Sequence, residues 1–109
     1  MGQSARAHRS IAGWVRQRLP ALLRAYTVDA AYLFGSWGRG DPDEFSDVDL
    51  IVVAPSRRCF VERFRDYPEL WRHAPTGIDL LIYTPEEFVR YRRSNRFLRH
   101  VLREARRIV

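Results

Sequence analysis

Two apolar segments joined by a polar turn constrain this chain more than any other feature of its sequence. The first covers residues 30–34, and the second covers residues 48–54, where Pro55 stops it. The β-branched residues of the second segment favour a strand over a helix. Asp47 and Asp49 stand at its start, and in a strand this spacing places both carboxylates on one face, roughly 7 Å apart. The chain is therefore expected to fold around a sheet with paired acids at the start of its second strand.

A Gly-Ser pair follows the first strand directly, at Gly35 and Ser36. Because glycine has no side chain, the backbone amides of this turn can approach an anion closely. The two carboxylates of the second strand would repel each other unless a cation lay between them. A turn that can hold phosphate, beside acids that can hold a metal ion, indicates a site for a metal-bound nucleoside triphosphate.

These residues resemble the signature of the DNA polymerase β-like nucleotidyltransferases. The signature is Gly35-Ser36, ten intervening residues and Asp47-Val48-Asp49. Its extended form here, Gly-Ser-x-x-Arg-Gly followed by Ser-Asp-x-Asp-Leu, is most similar to the minimal nucleotidyltransferases (MNT proteins). The resemblance covers about residues 26–87 and departs from the family pattern at Gly38, where many relatives have alanine. We expect that change to loosen the turn without removing a chemical group.

The family also needs a third carboxylate on a later strand, and Asp79 in the apolar segment 78–83 supplies it. An ionised carboxylate buried in an apolar strand is unfavourable unless a cation pairs with it. The resemblance implies that Asp47, Asp49 and Asp79 are the catalytic residues and ligate two Mg²⁺ ions. Asp79 would act as a base, or as a ligand of the second metal ion for the attacking hydroxyl.

The resemblance further implies that the nucleotide-binding residues are Gly35, Ser36, Arg39 and Gly40. Gly35 and Ser36 would contact the β- and γ-phosphates, and Arg39 would neutralise charge on the triphosphate as pyrophosphate leaves. The implied reaction transfers AMP from ATP to a hydroxyl acceptor. No residue of the sequence identifies the base of the nucleotide.

The predicted fold class is α+β, with a polymerase β-like core in which helices flank a mixed sheet of three to four strands. The expected order is helix, strand, strand, helix, strand, helix, within a single domain over residues 1–109. Periodicity predicts a helix over about residues 4–26, a helical segment over 57–73 that Pro68 interrupts, and one final helix. That final helix begins at a capping box, Thr84 to Glu87. The three acids should converge at one edge of the sheet, with helices packed on the other face.

The positive charge of the chain comes from arginine alone. All 19 basic residues are arginines, the net charge is +6, and eight of the arginines lie between Arg90 and Arg107. One interpretation is a nucleic-acid partner. The other is a helix face that meets an acidic partner protein, and it is favoured because most aromatic residues lie at core-like spacings rather than in a nucleic-acid-binding platform.

The remaining composition bears on location. No apolar segment approaches the roughly 20 residues that span a bilayer, so no membrane contact is expected. Cys59 is the only cysteine, which excludes an internal disulfide and indicates a reducing cytoplasm. We expect Cys59 to be a buried, small apolar residue.

The biology depends on what closes the nucleotide site. Larger relatives carry an extra domain that covers the nucleotide, and we expect none here, so a second copy of the chain or a separate partner would form the other wall. The resemblance to MNT proteins implies a helical HEPN partner in a toxin–antitoxin pair, with AMP added to a partner tyrosine. A catalytically retired module that binds its partner by contact alone, and a basic nucleic-acid-binding protein, are the alternatives. The presence of all three acids with Ser36 and Arg39 favours the enzyme, since a module without chemistry has no need of three mutually repelling carboxylates.

Overall fold

Within the described residues, 9–43 and 45–109 of this computed structural model, four strands form one mixed sheet. The strands are β1 (Ala30–Phe34), β2 (Val48–Val53), β3 (Ile78–Tyr83) and β4 (Arg106–Arg107). Their order in the sheet is β3-β2-β1-β4. β1 pairs antiparallel with β2 and with β4, whereas β2 and β3 run parallel. The predicted α+β fold with a mixed sheet is confirmed, and its strand number is the upper one expected.

The first helix, α1, is described over residues 9–25 and contains a π-helical segment, Trp14–Arg18, followed by an α-helical segment, Leu19–Ala25. The wide turns lie directly before Pro20, which has no N–H to donate to the preceding turn. The part of the predicted helix at residues 4–8 lies outside the described residues. The other helices are α2 (Gly35–Arg39), a 3₁₀ helix (Phe60–Asp66), α3 (Pro68–His73), α4 (Pro85–Ser94) and α5 (Arg96–Glu104).

Apolar side chains cover both faces of the sheet, because successive strand residues point to opposite sides. On one face Leu33 and Leu50 pack with Leu19 and Leu23 of α1 and Leu70 of α3. The opposite face carries a second cluster with α4 and α5, whose buried members are Ala30, Phe34, Ile51, Val53, Tyr83, Phe88 and Leu98. Helices thus pack on both faces. The expectation that they would leave the face of the acids free is wrong.

The final helical stretch is two helices rather than the one predicted. Asn95 separates α4 from α5, and its side-chain oxygen accepts a hydrogen bond from the backbone N–H of Leu98 at 3.0 Å. Asparagine favours such a cap because its side chain satisfies an N–H that the helix itself leaves free. The short strand β4 was not predicted, since two arginines carry no strand signal and only the pairing with β1 defines it. The capping box of Thr84 and Glu87 at the start of α4 is present as predicted.

A buried arginine holds β3 in place. Arg63 of the 3₁₀ helix is 6% exposed and donates to the carbonyls of Arg58 and Ile82 at 3.0 Å each. It also forms a two-point ion pair with Glu87 of α4, with Nη2 3.1 Å from Oε2. β3 is an edge strand, and the bond to Ile82 satisfies one of its carbonyls. Arg63 therefore ties the 3₁₀ helix, β3 and α4 together.

Two further expectations meet different outcomes. Pro68 does interrupt the helical segment, since the 3₁₀ helix ends at Asp66 and α3 begins at Pro68. Cys59, however, is exposed, which contradicts the predicted burial. It lies at the start of the 3₁₀ helix, after the chain has left the sheet. Among the described residues no helix combines the length and apolar character that crossing a membrane would require.

Candidate active site

The turn from β1 into α2 brings the backbone against a carboxylate. Gly35 begins α2 with a φ of +64°, a left-handed conformation that favours glycine. A Cβ at this position would overlap Oδ2 of Asp49, so no larger residue fits beside that carboxylate without displacing it. Phe34, which precedes Gly35, pairs with Asp49 across the antiparallel strands. The Gly-Ser turn and the carboxylate of Asp49 are therefore in direct contact.

Gly38 also has a packing role, which corrects the sequence-based expectation. A Cβ there would lie 2.6 Å from the carbonyl oxygen of Leu33 and 3.3 Å from that of Glu104. Gly38 therefore allows α2 to lie tightly between β1 and the end of α5. The expectation that glycine merely loosens this turn is wrong, because its missing side chain is what permits the close approach.

Asp49 and Asp79 face each other across the parallel strands β2 and β3, at the same register position. Their carboxyl groups share a hydrogen bond. Burial raises the pKa of Asp49 to about 6, with further contributions from the hydrogen bond to Asp79 and from the negative charges of Asp79 and Asp47; the charge of Arg39 opposes the rise. Two adjacent negative charges are unfavourable, so the contact with Asp79 disfavours the ionised form of Asp49.

Asp79 is exposed rather than buried, contrary to the interpretation of its apolar segment. β3 is an edge strand, so its residues have a neighbouring strand on one side only, and Asp79 points to the open end of the α4–α5 face. The argument from a buried, unpaired acid therefore does not apply to Asp79. Its close contact is with the partly buried Asp49.

Asp47 lies just before β2 and is exposed. Its carboxylate rests against Gly77, where an added Cβ would be 2.7 Å from Oδ1. It is close enough for its charge to act on Asp49. Yet in the part of the chain that is described, no three acidic, histidine or cysteine side chains are arranged to hold a metal ion. The structure brings Asp49 and Asp79 together and leaves Asp47 beside them.

The loop before β2 sets the position of Asp47. Asp43 accepts hydrogen bonds from the backbone of Phe45 at 2.9 Å and from the hydroxyl of Ser46 at 3.1 Å. This turn leads the chain into Asp47 and β2. Asp41 and Asp43 are exposed, as expected of the acids in this loop, and Glu44 lies outside the described residues.

Arg39 ends α2 near the acids but is paired elsewhere. Its guanidinium lies 3.4 Å from a carboxylate oxygen of Asp41 and 3.7 Å from one of Glu104, and its side chain is 44% exposed. Gly40 follows with a φ of +83° and caps the helix, donating to the carbonyl of Ser36 at 3.0 Å. The four predicted nucleotide-binding residues are therefore contiguous in space, in one short helix and its cap.

Two neighbours of the site were not predicted. Glu104 at the end of α5 contacts both Gly38 and Arg39. Phe97 at the start of α5 packs edge-on against Phe34, with ring centroids 5.9 Å apart. Both lie more than 60 positions after the Gly-Ser turn in the chain, and no local pattern links them to it.

Comparisons with known proteins agree with this geometry. Residues 17–109 match the family described as "Polymerase beta, Nucleotidyltransferase". No curated protein matches the chain significantly. The match extends the resemblance that the Gly-Ser and Asp-x-Asp motifs carry to almost the whole described chain.

Solved structures share the fold. A mutant of the toxin–antitoxin MntA-HpeT has a TM-score of 0.60 at 19% identity, over 86% of this chain and 72% of the other. A toxin–antitoxin with AMP-PNP has a TM-score of 0.56 at 22% identity, with coverages of 82% and 68%. A proposed nucleotidyltransferase from Sulfolobus solfataricus has a TM-score of 0.55 at 18% identity, with coverages of 80% and 78%. The family match, the fold and the acids beside the Gly-Ser turn agree, and the chain belongs to the polymerase β nucleotidyltransferase family.

Proposed function

We propose that this chain is a Mg²⁺-dependent nucleotidyltransferase that moves AMP from ATP to a hydroxyl group. The observation that carries the proposal is the contact between Asp49, Asp79 and the Gly35 turn, which places paired carboxylates next to backbone that can approach phosphate. In this proposal the acceptor hydroxyl belongs to a HEPN-type partner protein, for which the chain is the antitoxin, and the pair works in the cytoplasm.

The donor set fits a divalent metal ion. Carboxylate oxygens are the ligands that Mg²⁺ prefers. The pKa of Asp49 is raised first by burial and then by the neighbouring carboxyl groups of Asp79 and Asp47, and a bound cation would favour the ionised form. Asp47, Asp49 and Asp79 would hold the metal ions, with Asp47 joining the pair that is already in contact. When bound, Mg²⁺ would supply positive charge that stabilises the triphosphate oxygens in the transition state.

Asp79 and Asp49 would have different roles in the transfer step. The acceptor oxygen attacks the α-phosphorus, the bond from that phosphorus to the pyrophosphate oxygen breaks, and the hydroxyl proton passes to the carboxylate of Asp79. Asp79 suits this role because it is exposed and can meet an incoming acceptor. Asp49, which is partly buried, would act as a ligand in its ionised form, and a pKa of about 6 leaves that form predominant at neutral pH.

Nucleotide binding would use the short helix α2. Gly35 and Ser36 would contact the β- and γ-phosphates, and Gly40 would maintain the tight end of the helix. Arg39 would exchange its exposed ion pairs with Asp41 and Glu104 for the triphosphate. Losing these two ion pairs would cost little free energy, because an exposed ion pair contributes only about 0–1 kcal/mol.

Two observations support a partner-dependent activity on ATP. Asp47 and Asp79 are exposed, so a nucleotide at this site would be covered on one side only. The structural neighbours include a toxin–antitoxin and a toxin–antitoxin with AMP-PNP, a pairing that fits an ATP-binding chain with a protein partner. A homodimer is the second arrangement that could supply the missing wall.

A retired binding module is the alternative function. It is favoured by the incomplete carboxylate group, in which Asp47 stands apart, and by the engagement of Arg39 with Asp41 and Glu104. In that case the chain would neutralise its partner by contact alone, and the acids would have no chemical role.

Labelled ATP distinguishes the two functions. The wild-type chain with Mg²⁺ and its native partner should transfer label to a protein, and Asp79→Ala should reduce the rate about a hundredfold or more while partner binding persists. Asp66→Ala, in an exposed pair on the 3₁₀ helix, is the matched control and should keep full activity. If the wild-type chain transfers no label yet silences its partner as well as Asp79→Ala does, the binding module is correct.

A further inference from the structure

The outer side of α5 carries a continuous row of cationic residues. Arg96, Arg99, His100 and Arg103 recur at helical spacing and are exposed, while Leu98 on the opposite side of the helix is buried. Arg92 of α4 lies next to this row. We call these five residues the basic face.

The arginines of the basic face lack carboxylate partners within the described residues. Some exposed arginines elsewhere do have them: Arg58 pairs with Asp66, and Arg72 pairs with Glu69. Two shallow hollows of about 260 and 350 Å³ separate the side chains of the basic face. Such an arrangement leaves positive charge that a polyanion can neutralise, with space between the guanidinium groups for its oxygens.

We infer that the basic face binds the phosphodiester backbone of a nucleic acid. Arginine is frequent in protein interfaces too, but there it accompanies a packed apolar or aromatic centre, whereas the two hollows of this surface are lined by cationic side chains and Leu102. Nucleic-acid backbones are instead bound by rows of Arg and Lys that displace counterions. The row spans eight residues of helix, 96–103, or about 10 Å, which is long enough to follow successive phosphates of one strand.

An exposed aromatic residue borders this row. Phe97, next to Arg96, is 47% exposed, and Phe34 holds its ring from one side at a centroid distance of 5.9 Å. A ring that is held in place yet open to solvent can stack against an unpaired base. The sequence pattern showed no aromatic binding platform, and this argued against a nucleic-acid partner. In the structure, Phe97 provides such an aromatic group beside the basic face. This inference is independent of nucleotidyl transfer, since it uses none of the three acids.

Fluorescence anisotropy with labelled 20-nucleotide single-stranded RNA, and with duplex DNA of the same length, tests the inference on the full chain. The wild-type chain should bind with an affinity that falls steeply as salt increases. The triple variant with Arg96→Glu, Arg99→Glu and Arg103→Glu should bind at least about tenfold more weakly. The slope of log affinity against log salt concentration should also be smaller in magnitude by roughly two. If unpaired strands are the ligand, Phe97→Ala should weaken binding of the single strand about threefold or more and leave binding of the duplex unchanged. If the wild-type chain binds the single strand and the duplex with equal affinity, the phosphodiester backbone alone is sufficient for binding.

The matched control reverses three exposed arginines of α1, Arg16→Glu, Arg18→Glu and Arg24→Glu, and so changes the net charge equally. Unchanged far-ultraviolet circular dichroism and melting temperature establish that each variant is folded, and a triple Arg→Gln variant replaces either one that is not. Equal loss of binding in the α1 control would overturn the inference, because net charge alone would then explain it. Preferential binding of poly-glutamate over RNA at the same salt concentration would also overturn it and identify an acidic protein as the partner.

Discussion

Asp49 and Asp79 occupy the same register position on neighbouring parallel strands, and their carboxyl groups share a hydrogen bond. Side chains at matched positions of adjacent strands lie close together on one face of the sheet. Two acids held this way repel each other once both are ionised. At neutral pH a pKa of about 6 leaves Asp49 mostly ionised, so the fold maintains a repulsion between the two carboxylates that a metal ion would relieve in the proposed enzyme.

Asp49→Asn should stabilise the metal-free protein at neutral pH. The substitution removes one of the two like charges and lets an amide N–H donate to Asp79. Thermal unfolding in the presence of a chelator should show a melting temperature higher by roughly 2–5 °C. Asp66→Asn, which breaks an exposed ion pair, should show no such rise. A lower melting temperature for Asp49→Asn would mean that the acids do not repel each other in the folded chain.

Mg²⁺ and ATP together should raise the melting temperature of the wild-type chain by several degrees. Binding to the folded state alone stabilises it by mass action, and the effect grows with ligand concentration above Kd. Asp47→Asn should abolish the increase, because the third carboxylate is then missing. Stabilisation by ATP that is equally large in the presence of a chelator would contradict the metal-binding role of the acids.

Gly38→Ala should destabilise the fold by about 1–3 kcal/mol, since the added methyl group would be forced against the carbonyl of Leu33. Urea unfolding measures the change. Gly13→Ala is the matched control: it lies in α1 with no atom within 4 Å of the added Cβ, and it should stabilise the chain by about 0.5–1 kcal/mol. Equal behaviour of the two variants would show that α2 does not pack as tightly as the structure describes.

Arg63→Gln should cost about 2–3 kcal/mol of stability, because it leaves Glu87 without its cation and two carbonyls without donors. Arg58→Gln, in an exposed pair, should change stability by less than about 1 kcal/mol. Urea unfolding of both variants at neutral pH makes the comparison. A similar small loss for the two would show that the buried pair adds nothing beyond an exposed one.

The Arg63–Glu87 pair should also make stability depend on pH. The hydrogen bond from Arg63 lowers the pKa of Glu87 below its ordinary value of 4.5. The unfolded chain therefore binds a proton at Glu87 more readily than the folded chain does, and the stabilisation is present above pH 4.5 and lost as pH falls through the lower folded pKa. Urea unfolding between pH 7 and pH 3 should show a smaller loss in Glu87→Gln than in the wild-type chain. An identical pH profile would contradict the role of this pair.

Local sequence signals predicted the elements that local physics decides. The β-branched segment of β2, the capping box at Thr84 and the interruption at Pro68 each depend on residues within a few positions of one another. Neighbouring backbone geometry and nearby hydrogen bonds favour such features without reference to distant residues. The Gly-Ser turn and the Asp-x-Asp spacing are each local patterns too, and the resemblance to the nucleotidyltransferases joined them as parts of one predicted site.

Tertiary structure alone decided how those parts are arranged. The exposure of Asp79 follows from the edge position of β3, and the close fit of Gly38 follows from the approach of Leu33 and Glu104. Strand order and helix packing depend on contacts between residues far apart in the chain, which hydrophobic periodicity does not encode. The sequence by itself thus determined the family, the three longer strands and the candidate acids. That the acids converge was predicted; only the assembled sheet decided that Asp49 and Asp79 share one register position, that Asp47 lies beside them, and that helices cover both faces.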